Sequence, residues 1–511
     1  MRKFMYGIAA IIVCAAMCSA CSSDSTEEGG KTGDGMAKLL TFGFYAADNA
    51  GLKADYVAEI APEMVIRLPA DAAKTALVAR FTTSENDKVL VGSKEQVSGT
   101  SANDFTYPID YLVSDADAKL SSRYTIKVGK ILTKVWAEIA AYNDKDATSG
   151  ALLPNDEFAM AISPKDNTPY FFLARTASDV DAGVVVKLEN GTPTAGSEIS
   201  FASDGTTRVD VKYPQIAIDV EGKVYASYYY TTDQKMFVKT GSGSSWSMVG
   251  TPFGNVKCSS YTTMEIDPAT KHPIVAYYAN SAIAGTIARR DMNLCYFDGA
   301  AWSSENLISD LSAKSIYNST MRIINNTLYL GGTVQNKPGS YFVYKYNNGS
   351  WEKIINALPA DASQTNIVGF SFDIASDGTV YICAGGDEDV NKTWKPTVYK
   401  AAPGATDWTR VATPLNFDVA SSSKYTMELY EDRPIVFYRE PVANMPTIVM
   451  LNAATKQWEE PLQLGTTAMT INDLHLEFDA NGIGYAAFLD DSANKALHIY
   501  KYAMEADDLG K

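Results

Sequence analysis

The stretch LEFDANGIGYAAF (residues 476–488) decides the fold of most of this chain. It contains an apolar strand, a turn at Asn481-Gly482, and a second apolar strand that begins near Tyr485. The same order recurs in three other segments, at residues 215–228, 264–277 and 370–383. In each copy we align the aspartate at the end of the first strand, namely Asp219, Asp267, Asp373 and Asp479. The segment is therefore one unit of an internal repeat.

Tryptophans set the length of this repeat. Apart from Trp394, which is out of register, they are Trp136, Trp246, Trp302, Trp351, Trp408 and Trp458, and each lies near the start of a short strand. Their successive separations are 110, 56, 49, 57 and 50 residues, so one tryptophan position is missing in the first gap. Units of this length hold four short strands, and closing them into a ring removes exposed sheet edges. We predict a seven-bladed β-propeller over residues 131–511.

The last unit lacks its own tryptophan strand. It ends after a third strand at residues 498–502, whereas a strand of matching sequence, residues 134–138, precedes the first unit. That early strand contains Trp136 and resembles residues 456–459. We predict that it completes the seventh blade and closes the ring. The alternative is that Trp136 belongs to the preceding domain.

Residues 38–130 have the pattern of a second all-β domain. Short apolar runs alternate with polar residues and turn signals, at residues 40–44, 63–69, 76–81, 88–91, 109–113 and 123–128. This number of short strands is typical of a β-sandwich. The segments ADNAGL, IRLPADAAKTALVARF, VSGTSANDFTYPIDYLV and SRYTIKV resemble a small Ig-like domain of unknown function in gut-bacterial surface lipoproteins. The resemblance implies an Ig-like spacer or adhesion module, with no assigned chemistry.

The amino terminus has the layout of an export signal. Arg2 and Lys3 precede an uncharged apolar run, residues 5–17, which is too short to span a membrane. The following Cys18-Ser19-Ala20-Cys21 resembles a lipobox, although Cys18 stands where that family usually has leucine. The resemblance implies a signal peptide over residues 1–20 and lipid on Cys21. The alternative is an ordinary secreted protein.

Residues 21–37 form a tether of glycine, serine and acidic residues that has nothing to bury. Ser22 and the acidic residues that follow it favour the outer membrane and display at the cell surface. A periplasm-facing position is the alternative. We therefore expect the membrane to be contacted through lipid alone.

Composition narrows the choice of partners. The formal net charge is −16, which argues against nucleic acid as a partner. After processing, the cysteines besides Cys21 are Cys258, Cys295 and Cys383, an odd number that excludes a full disulfide framework. Buried thiols are the expectation, with a Cys258–Cys295 bridge as the alternative.

Candidate ligand-binding residues lie where second strands end and lead into third strands. In a propeller these connections share one face, and they place Tyr229, Tyr278 and Arg439 in one column. Other candidates in the same connections are Arg175, Trp394 and Asp490. Aromatic faces beside charged groups suit sugars. The alternative is that the tyrosines pack between blades.

A weak calcium motif lies in the connection at residues 386–391. Asp387, Asp389 and Asn391 offer oxygen atoms at alternate positions. The glycine and distal glutamate of a calcium loop are absent, since Lys392 and Thr393 follow. A solvated acidic loop is the preferred interpretation, and no cofactor is expected.

Catalytic motifs do not stand out. The histidines His272, His475 and His498 have no metal-ligand spacing, although His475 is placed near the mouth of the channel. No nucleophile elbow or P-loop occurs. We therefore expect a surface binding module for a glycan or a protein, with a glycan-active hydrolase or lyase as the alternative and an assembly partner in a membrane complex as a third. Acidic residues clustered in one deep channel would favour the enzyme.

Overall fold

The structure is a computed structural model, and it describes residues 37–84, 87–143, 158–177, 180–199, 211–230, 233–254, 262–278, 292–305, 308, 311, 316–334, 341–347, 349–355, 370–387, 394–405, 407–415, 425–440, 443–469, 471–490 and 496–506. Within these ranges the regular secondary structure is β-strand, and no helix is long and apolar enough to cross a membrane. The chain divides into two compact units: Met1–Leu132 with Ala506–Lys511, and Thr133–Glu505.

The first unit contains two sheets that share one apolar core. Its strands are β1 (Leu39–Phe44), β2 (Tyr56–Val57), β3 (Glu63–Leu68), β4 (Leu77–Thr83), β5 (Lys88–Val91), β6 (Lys94–Glu95), β7 (Ala102–Asn103), β8 (Ile109–Ser114) and β9 (Ser121–Lys130). One sheet has the order β2-β1-β4-β7 and the other β3-β9-β8-β5-β6, with β3 and β9 parallel. Phe42, Phe44, Phe105 and Tyr111 contact one another in the core. The predicted alternation of apolar and polar residues is confirmed, because the apolar side of each strand faces this core.

The second unit begins with the strand that contains Trp136. Its strands are β10 (Lys134–Tyr142), β11 (Ala159–Ile162), β12 (Pro169–Ala177), β13 (Val180–Glu189), β14 (Thr192–Glu198), β15 (Lys212–Ile218), β16 (Val224–Tyr230), β17 (Lys235–Ser242), β18 (Ser245–Met248), β19 (Thr263–Ile266), β20 (Pro273–Tyr278), β21 (Met292–Phe297), β22 (Trp302–Glu305) and β23 (Ile316–Ile324). It continues with β24 (Thr327–Val334), β25 (Tyr341–Asn347), β26 (Ser350–Lys353), β27 (Phe370–Ile374), β28 (Val380–Asp387), β29 (Trp394–Ala401), β30 (Thr409–Arg410), β31 (Tyr425–Tyr430), β32 (Arg433–Arg439), β33 (Pro446–Met450), β34 (Leu462–Gln463), β35 (Ile471–Phe478), β36 (Gly484–Asp490) and β37 (Ala496–Met504).

In the described part of the second unit, these strands form seven four-stranded antiparallel sheets. Six sheets follow chain order, from β11-β12-β13-β14 to β31-β32-β33-β34, and one has the order β10-β37-β36-β35. The first strand of each sheet contacts the first strand of the next, and β35 contacts β11. This closed circuit of sheets is a β-propeller, as the repeat predicts.

Apolar side chains fill every space between consecutive sheets. Between the sheets of β15 and β19, for example, Tyr229, Met236 and Val238 pack against Met264 and Tyr277. Alternate residues of a strand point to opposite faces, so Tyr228 contacts the preceding sheet while Tyr229 contacts the following one. Both faces of each sheet are therefore covered, which explains why the central strands are apolar without interruption.

The repeated tryptophans connect neighbouring sheets. The indole nitrogen of Trp302 donates to the carbonyl of Val249 at 2.7 Å, and that of Trp458 donates to the carbonyl of Thr413 at 2.8 Å. Both acceptors belong to the preceding repeat. Gly250, with a φ of 67°, lies beneath Trp302, where an added Cβ would come within 2.9 Å of the indole. The tryptophan period in the sequence thus reflects a contact between sheets.

The strand of Trp136 joins the two ends of the second unit. It pairs antiparallel with β37 from Lys134 opposite Met504 to Tyr142 opposite Leu497, as the sequence predicts. The Trp136 ring stacks on Tyr502 with centroids 5.1 Å apart. The Nζ of Lys134 donates to the hydroxyl of Tyr430 at 2.6 Å, which ties the strand to the preceding sheet as well.

We expect Trp136→Arg to destabilise the whole second unit by about 2–4 kcal/mol, because a charge replaces an apolar ring packed in the seam. Hydrogen exchange followed by mass spectrometry should show faster exchange in peptides from every sheet of that unit. Leu462→Arg is the control, since Leu462 is 47% exposed. Faster exchange confined to residues 37–132 would contradict the closure.

Candidate functional site

The first strands of the seven sheets line the axis of the ring, and one equivalent position on these strands is charged in five of the seven sheets. In five sheets the residue that closes the turn between the first two strands, for example Asp219, donates its backbone amide to a carbonyl across the turn. In the other two sheets the turn has two residues, and Ile324 and Tyr430 close it by pairing with Thr327 and Arg433. Two residues before this closing position stand Ala161, Ala217, Glu265, Arg322, Asp373, Glu428 and Glu477. We call these seven residues the axial ring.

A central cavity of about 770 Å³ opens along these strands. Six members of the axial ring line it, and Asp373 lies beside it. Towards the amino-terminal ends of the strands the wall contains Phe158, Thr262, Asn318 and Tyr425. Towards the turns it contains Lys271. The cavity is therefore a polar chamber with some apolar surface and has the size of a small-molecule site.

Arg322 and Glu428 form an ion pair at the wall of the cavity. The guanidinium also donates from Nη1 to the carbonyl of Phe372 at 3.1 Å and to that of Met427 at 3.4 Å. Burial lowers the pKa of Arg322, but Glu428 and the other acidic groups around it raise it on balance, so it stays protonated. The guanidinium of Arg322 thus donates mainly to acceptors within the protein.

Glu265 and Glu477 also face the cavity, and neither makes an ion pair with a described residue. Burial, together with the nearby charge of Glu477, raises the pKa of Glu265 to about 8, while Arg322 opposes the change. Burial likewise raises the pKa of Glu477 to about 7 against the influence of Arg322. At neutral pH Glu265 is therefore mostly protonated, and Glu477 is divided between its neutral and ionised forms.

Asp373 has a structural role in the ring. Its carboxylate accepts hydrogen bonds from the backbone amides of Leu429 in the next sheet and of Ile374, both at 2.8 Å. The sequence alignment of Asp373 with the turn aspartates is wrong, because Ala375 closes that turn by bonding to Thr379. The register is shifted by two residues, and Asp373 consequently belongs to the axial ring.

His475 lines the cavity, where the sequence places it near the channel. Its Nε2 lies 2.9 Å from the carbonyl oxygen of Phe158 and 3.5 Å from the Asp473 carboxylate. Asp473 in turn accepts a hydrogen bond from the backbone amide of Phe158 at 2.9 Å. The imidazole thus joins the last sheet to the first.

Two polar atoms at the wall of the cavity lack hydrogen-bond partners among the described residues. They are Oγ1 of Thr262 and Nδ2 of Asn318. Thr262 is only 4% exposed, and Asn318 has a left-handed backbone with a φ of 45°. A buried polar group without a partner costs about 1–3 kcal/mol, so a bound hydroxyl or amine at this place would recover stability.

Tyr229 and Tyr278 are not ligand contacts in this structure, which corrects the sequence-based expectation. They are 2% and 0% exposed and pack in the apolar layers between sheets. The ends of the second strands still lie within the sheets, and neighbouring sheets cover both of their faces. These tyrosines therefore pack between blades, which is the alternative that the sequence left open.

The other candidates do not assemble into a site among the described residues. Arg439 is half-buried, and its Nη1 donates to the carbonyl of Ile471 at 3.2 Å. Asp490 is buried at the end of β36. Neither residue lines the cavity. Arg175 and Trp394 lie in β12 and β29, but their side chains are outside the described set.

The weak calcium candidates stay untested. Asp387 ends β28, but its side chain is outside the described set, and so are Asp389, Asn391 and Cys21 altogether. Among the described side chains, no group of three His, Cys, Asp or Glu residues is placed to hold a metal ion. Cys295 and Cys383 are buried, and burial raises the pKa of the Cys383 thiol; Cys258 lies outside the described residues.

The axial ring has a signal in the sequence, although the site expected from the sequence lay in the loops between second and third strands. Glu265, Arg322 and Glu477 each stand in the middle of an apolar first strand. A charge in such a strand is costly unless it faces a polar cavity or a partner. The period of the repeat, combined with this rule, points to the axis.

Comparisons with known proteins give weak similarity. No protein-family model matches the chain, and no curated protein matches it significantly. Among solved structures, the polysaccharide lyase Uly1 is 12% identical, with 71% of this chain and 91% of that chain covered and a TM-score of 0.46.

Two further solved structures have lower TM-scores. The six-bladed fucose-binding lectin of Aleuria aurantia is 11% identical, with 58% and 95% of the two chains covered and a TM-score of 0.39. A DUF4623 family protein of Bacteroides eggerthii is 10% identical, with 92% and 99% covered and a TM-score of 0.34. With similarities this low, the fold assignment depends on strand pairing and packing within this chain.

We expect Arg322→Met to destabilise the second unit by about 3–5 kcal/mol, because it leaves buried carboxylates without their cation. Urea unfolding should show this loss. The double variant Arg322→Met/Glu428→Leu should recover much of it, since both charges of the pair are gone. A double variant less stable than the single one would contradict the proposed energetic role of the pair.

We expect Glu265→Gln to stabilise the protein increasingly as pH rises from about 5 to 8.5. The folded protein keeps a proton on Glu265 up to a pKa of about 8, whereas the unfolded chain loses it near 4.5, so folding stability falls between these pH values. Each pKa unit corresponds to about 1.4 kcal/mol. Unfolding free energies of both proteins across this range test the expectation. The exposed Glu352→Gln is the control, and a pH-independent difference for Glu265→Gln would refute the assignment.

Proposed function

We propose that this protein is a cell-surface lipoprotein whose second unit is a seven-bladed propeller that binds a glycan in its central cavity. The lipobox-like Cys18-Ser19-Ala20-Cys21 and the acidic tether support lipid on Cys21 and a place at the outer membrane. Seven four-stranded sheets and the closed circuit of first strands, in the described residues, support the blade count. For the first unit, two sheets around one core support the Ig-like interpretation and a spacer role.

One observation carries the binding proposal: the cavity of about 770 Å³ is lined by hydrogen-bonding groups. A sugar presents many hydroxyls, each of which donates and accepts, together with an apolar ring face. The carboxyls of Glu265 and Glu477, the hydroxyl of Thr262 and the amide of Asn318 offer both kinds of partner. Phe158 and Tyr425 line the same wall but are only 2% and 6% exposed, so they contribute little apolar surface. This mixture suits a carbohydrate better than an apolar molecule.

The second candidate is a glycan-active hydrolase or lyase, and the clustered carboxyls favour it. A general acid for glycoside cleavage needs a carboxyl whose pKa is raised towards neutral pH, as burial does for Glu265 and Glu477. A second, ionised carboxylate is also needed, but burial raises the pKa of Glu428 as well, to about 8, although Arg322 beside it opposes the change. Arg322 and Glu428 already form an ion pair with each other, which leaves them less available for catalysis. Binding is therefore the first choice.

A glycan-array screen with the soluble protein from Met36 to Lys511, which retains every described residue, tests both candidates. We expect binding to a defined set of glycans without turnover, and at least tenfold weaker binding for Thr262→Val. That change removes an unpaired hydroxyl without disturbing an internal hydrogen bond, so folding should be unaffected.

Product analysis on each bound glycan distinguishes the candidates. Bond cleavage that Glu265→Gln or Glu477→Gln slows by about 10²–10⁴ would establish the enzyme. Glu352→Gln should affect neither binding nor cleavage, because Glu352 is an exposed residue of β26 outside the cavity. Absence of binding to every glycan would reject the proposal and leave a protein ligand as the next hypothesis.

A further inference from the structure

The cavity contains more acidic groups than the binding of a neutral sugar requires. Its described wall contains six acidic residues (Asp219, Glu265, Asp267, Glu428, Asp473 and Glu477) and two permanent cations, Arg322 and Lys271. Lys271 is paired with Glu221, which does not line the cavity, and Arg322 is paired with Glu428. Carboxyl groups therefore outnumber cations in the wall, and Arg322 is the cation that acts on Glu265 and Glu477, together with His475 on Glu477.

The acidic residues differ in how the protein uses them. Asp219 and Asp267 accept backbone amides in their own turns, for example Glu221 N and Ala269 N at 2.9 Å, and Asp473 accepts the amide of Phe158. Among the described residues, Glu265 has a 3.4 Å contact from the backbone amide of its neighbour Ile266, and Glu477 accepts the backbone amide of Ile162. Glu265 and Glu477 are also near enough for their charges to repel. These two carboxyls are the ones that an added cation would stabilise.

A metal ion does not fit this pair. Calcium takes six to eight oxygen ligands at about 2.3–2.6 Å, whereas no three acidic, histidine or cysteine side chains of the described set converge closely enough to hold an ion. A protonated amine has weaker geometric demands, since its three N–H groups donate to acceptors spread over a wider space. The hydroxyl of Thr262 belongs to the wall of the same cavity, is 4% exposed and has no partner among the described residues, so it adds a position for a hydroxyl of the same ligand.

We propose that the cavity recognises a glycan with a free amino group, in which the protonated amine binds between Glu265 and Glu477 and a hydroxyl bonds to Thr262. This inference depends on the proposed glycan-binding function and specifies its ligand class. Binding of the amine favours the ionised form of both carboxyls, so it releases protons from them near neutral pH. Acetylation of the amine removes the charge and the recognition.

Calorimetric titration with three matched oligosaccharides tests this inference. The β-1,4-linked tetramers of glucosamine, N-acetylglucosamine and glucose differ only at one ring position, so they isolate the amine. Equivalent pairs of galactosamine and N-acetylgalactosamine glycans, with galactose glycans, cover other stereochemistry. We expect at least tenfold tighter binding of an amine-bearing glycan than of its acetylated and neutral partners, with proton release that differs between buffers of different ionisation enthalpy.

Variants connect the preference to the residues. Glu265→Gln should lower affinity at least tenfold more for the amine-bearing glycan than for the neutral one, whereas Thr262→Val should weaken both to a similar extent. The control is again Glu352→Gln. Equal affinity for amine and acetylated glycans, or a preference that survives Glu265→Gln, would overturn this inference while the glycan-binding proposal stands. Failure of every glycan in the broader array to bind would instead overturn the glycan-binding proposal itself.

Discussion

Closure of the ring is the constraint on which the second unit depends. Each sheet has two apolar faces, and a face is covered only when another sheet lies against it. A row of sheets would leave one apolar face exposed at each end, and burial of apolar surface is the main favourable term in folding. Pairing of the Trp136 strand with β37 puts residues from both ends of the unit into one sheet. This last sheet then packs against the first one, so neither end of the row has an exposed apolar face.

The same closure creates the cavity. Neighbouring first strands are linked by side chains that bond to the next backbone, as Asp373 does to Leu429 and Thr263 does to Met321. Other side chains of these strands, such as Glu265 and Glu477, point to the axis, where the ring leaves a space of about 770 Å³. A carboxyl that faces this space loses most of its hydration without reaching a dry core. This position explains why the pKa values of Glu265 and Glu477 rise towards neutrality.

The site therefore combines a rigid wall with titratable groups. Arg322 and Glu428 form an ion pair at the wall, whereas Glu265 and Glu477 make no ion pair with a described residue. A binding site and a catalytic site could both use such carboxyls, and the difference depends on whether a bound glycan is cleaved. The amine hypothesis depends on the excess of carboxyl groups over cations in the cavity wall. Neither the binding nor the catalytic interpretation requires that excess.

The sequence by itself determined the repeat, the position of the tryptophan strands and the closure by Trp136, because these depend on local strand patterns and on counting along the chain. The strands of the first unit were also readable from alternation. The tertiary structure decided the site. Whether Tyr229 faces solvent or a neighbouring sheet depends on how sheets pack, and the shift that places Asp373 beside Arg322 depends on which residue closes a turn. The axial ring brings together residues from strands more than 200 positions apart, such as Glu265 and Glu477, and only the closed ring makes them neighbours.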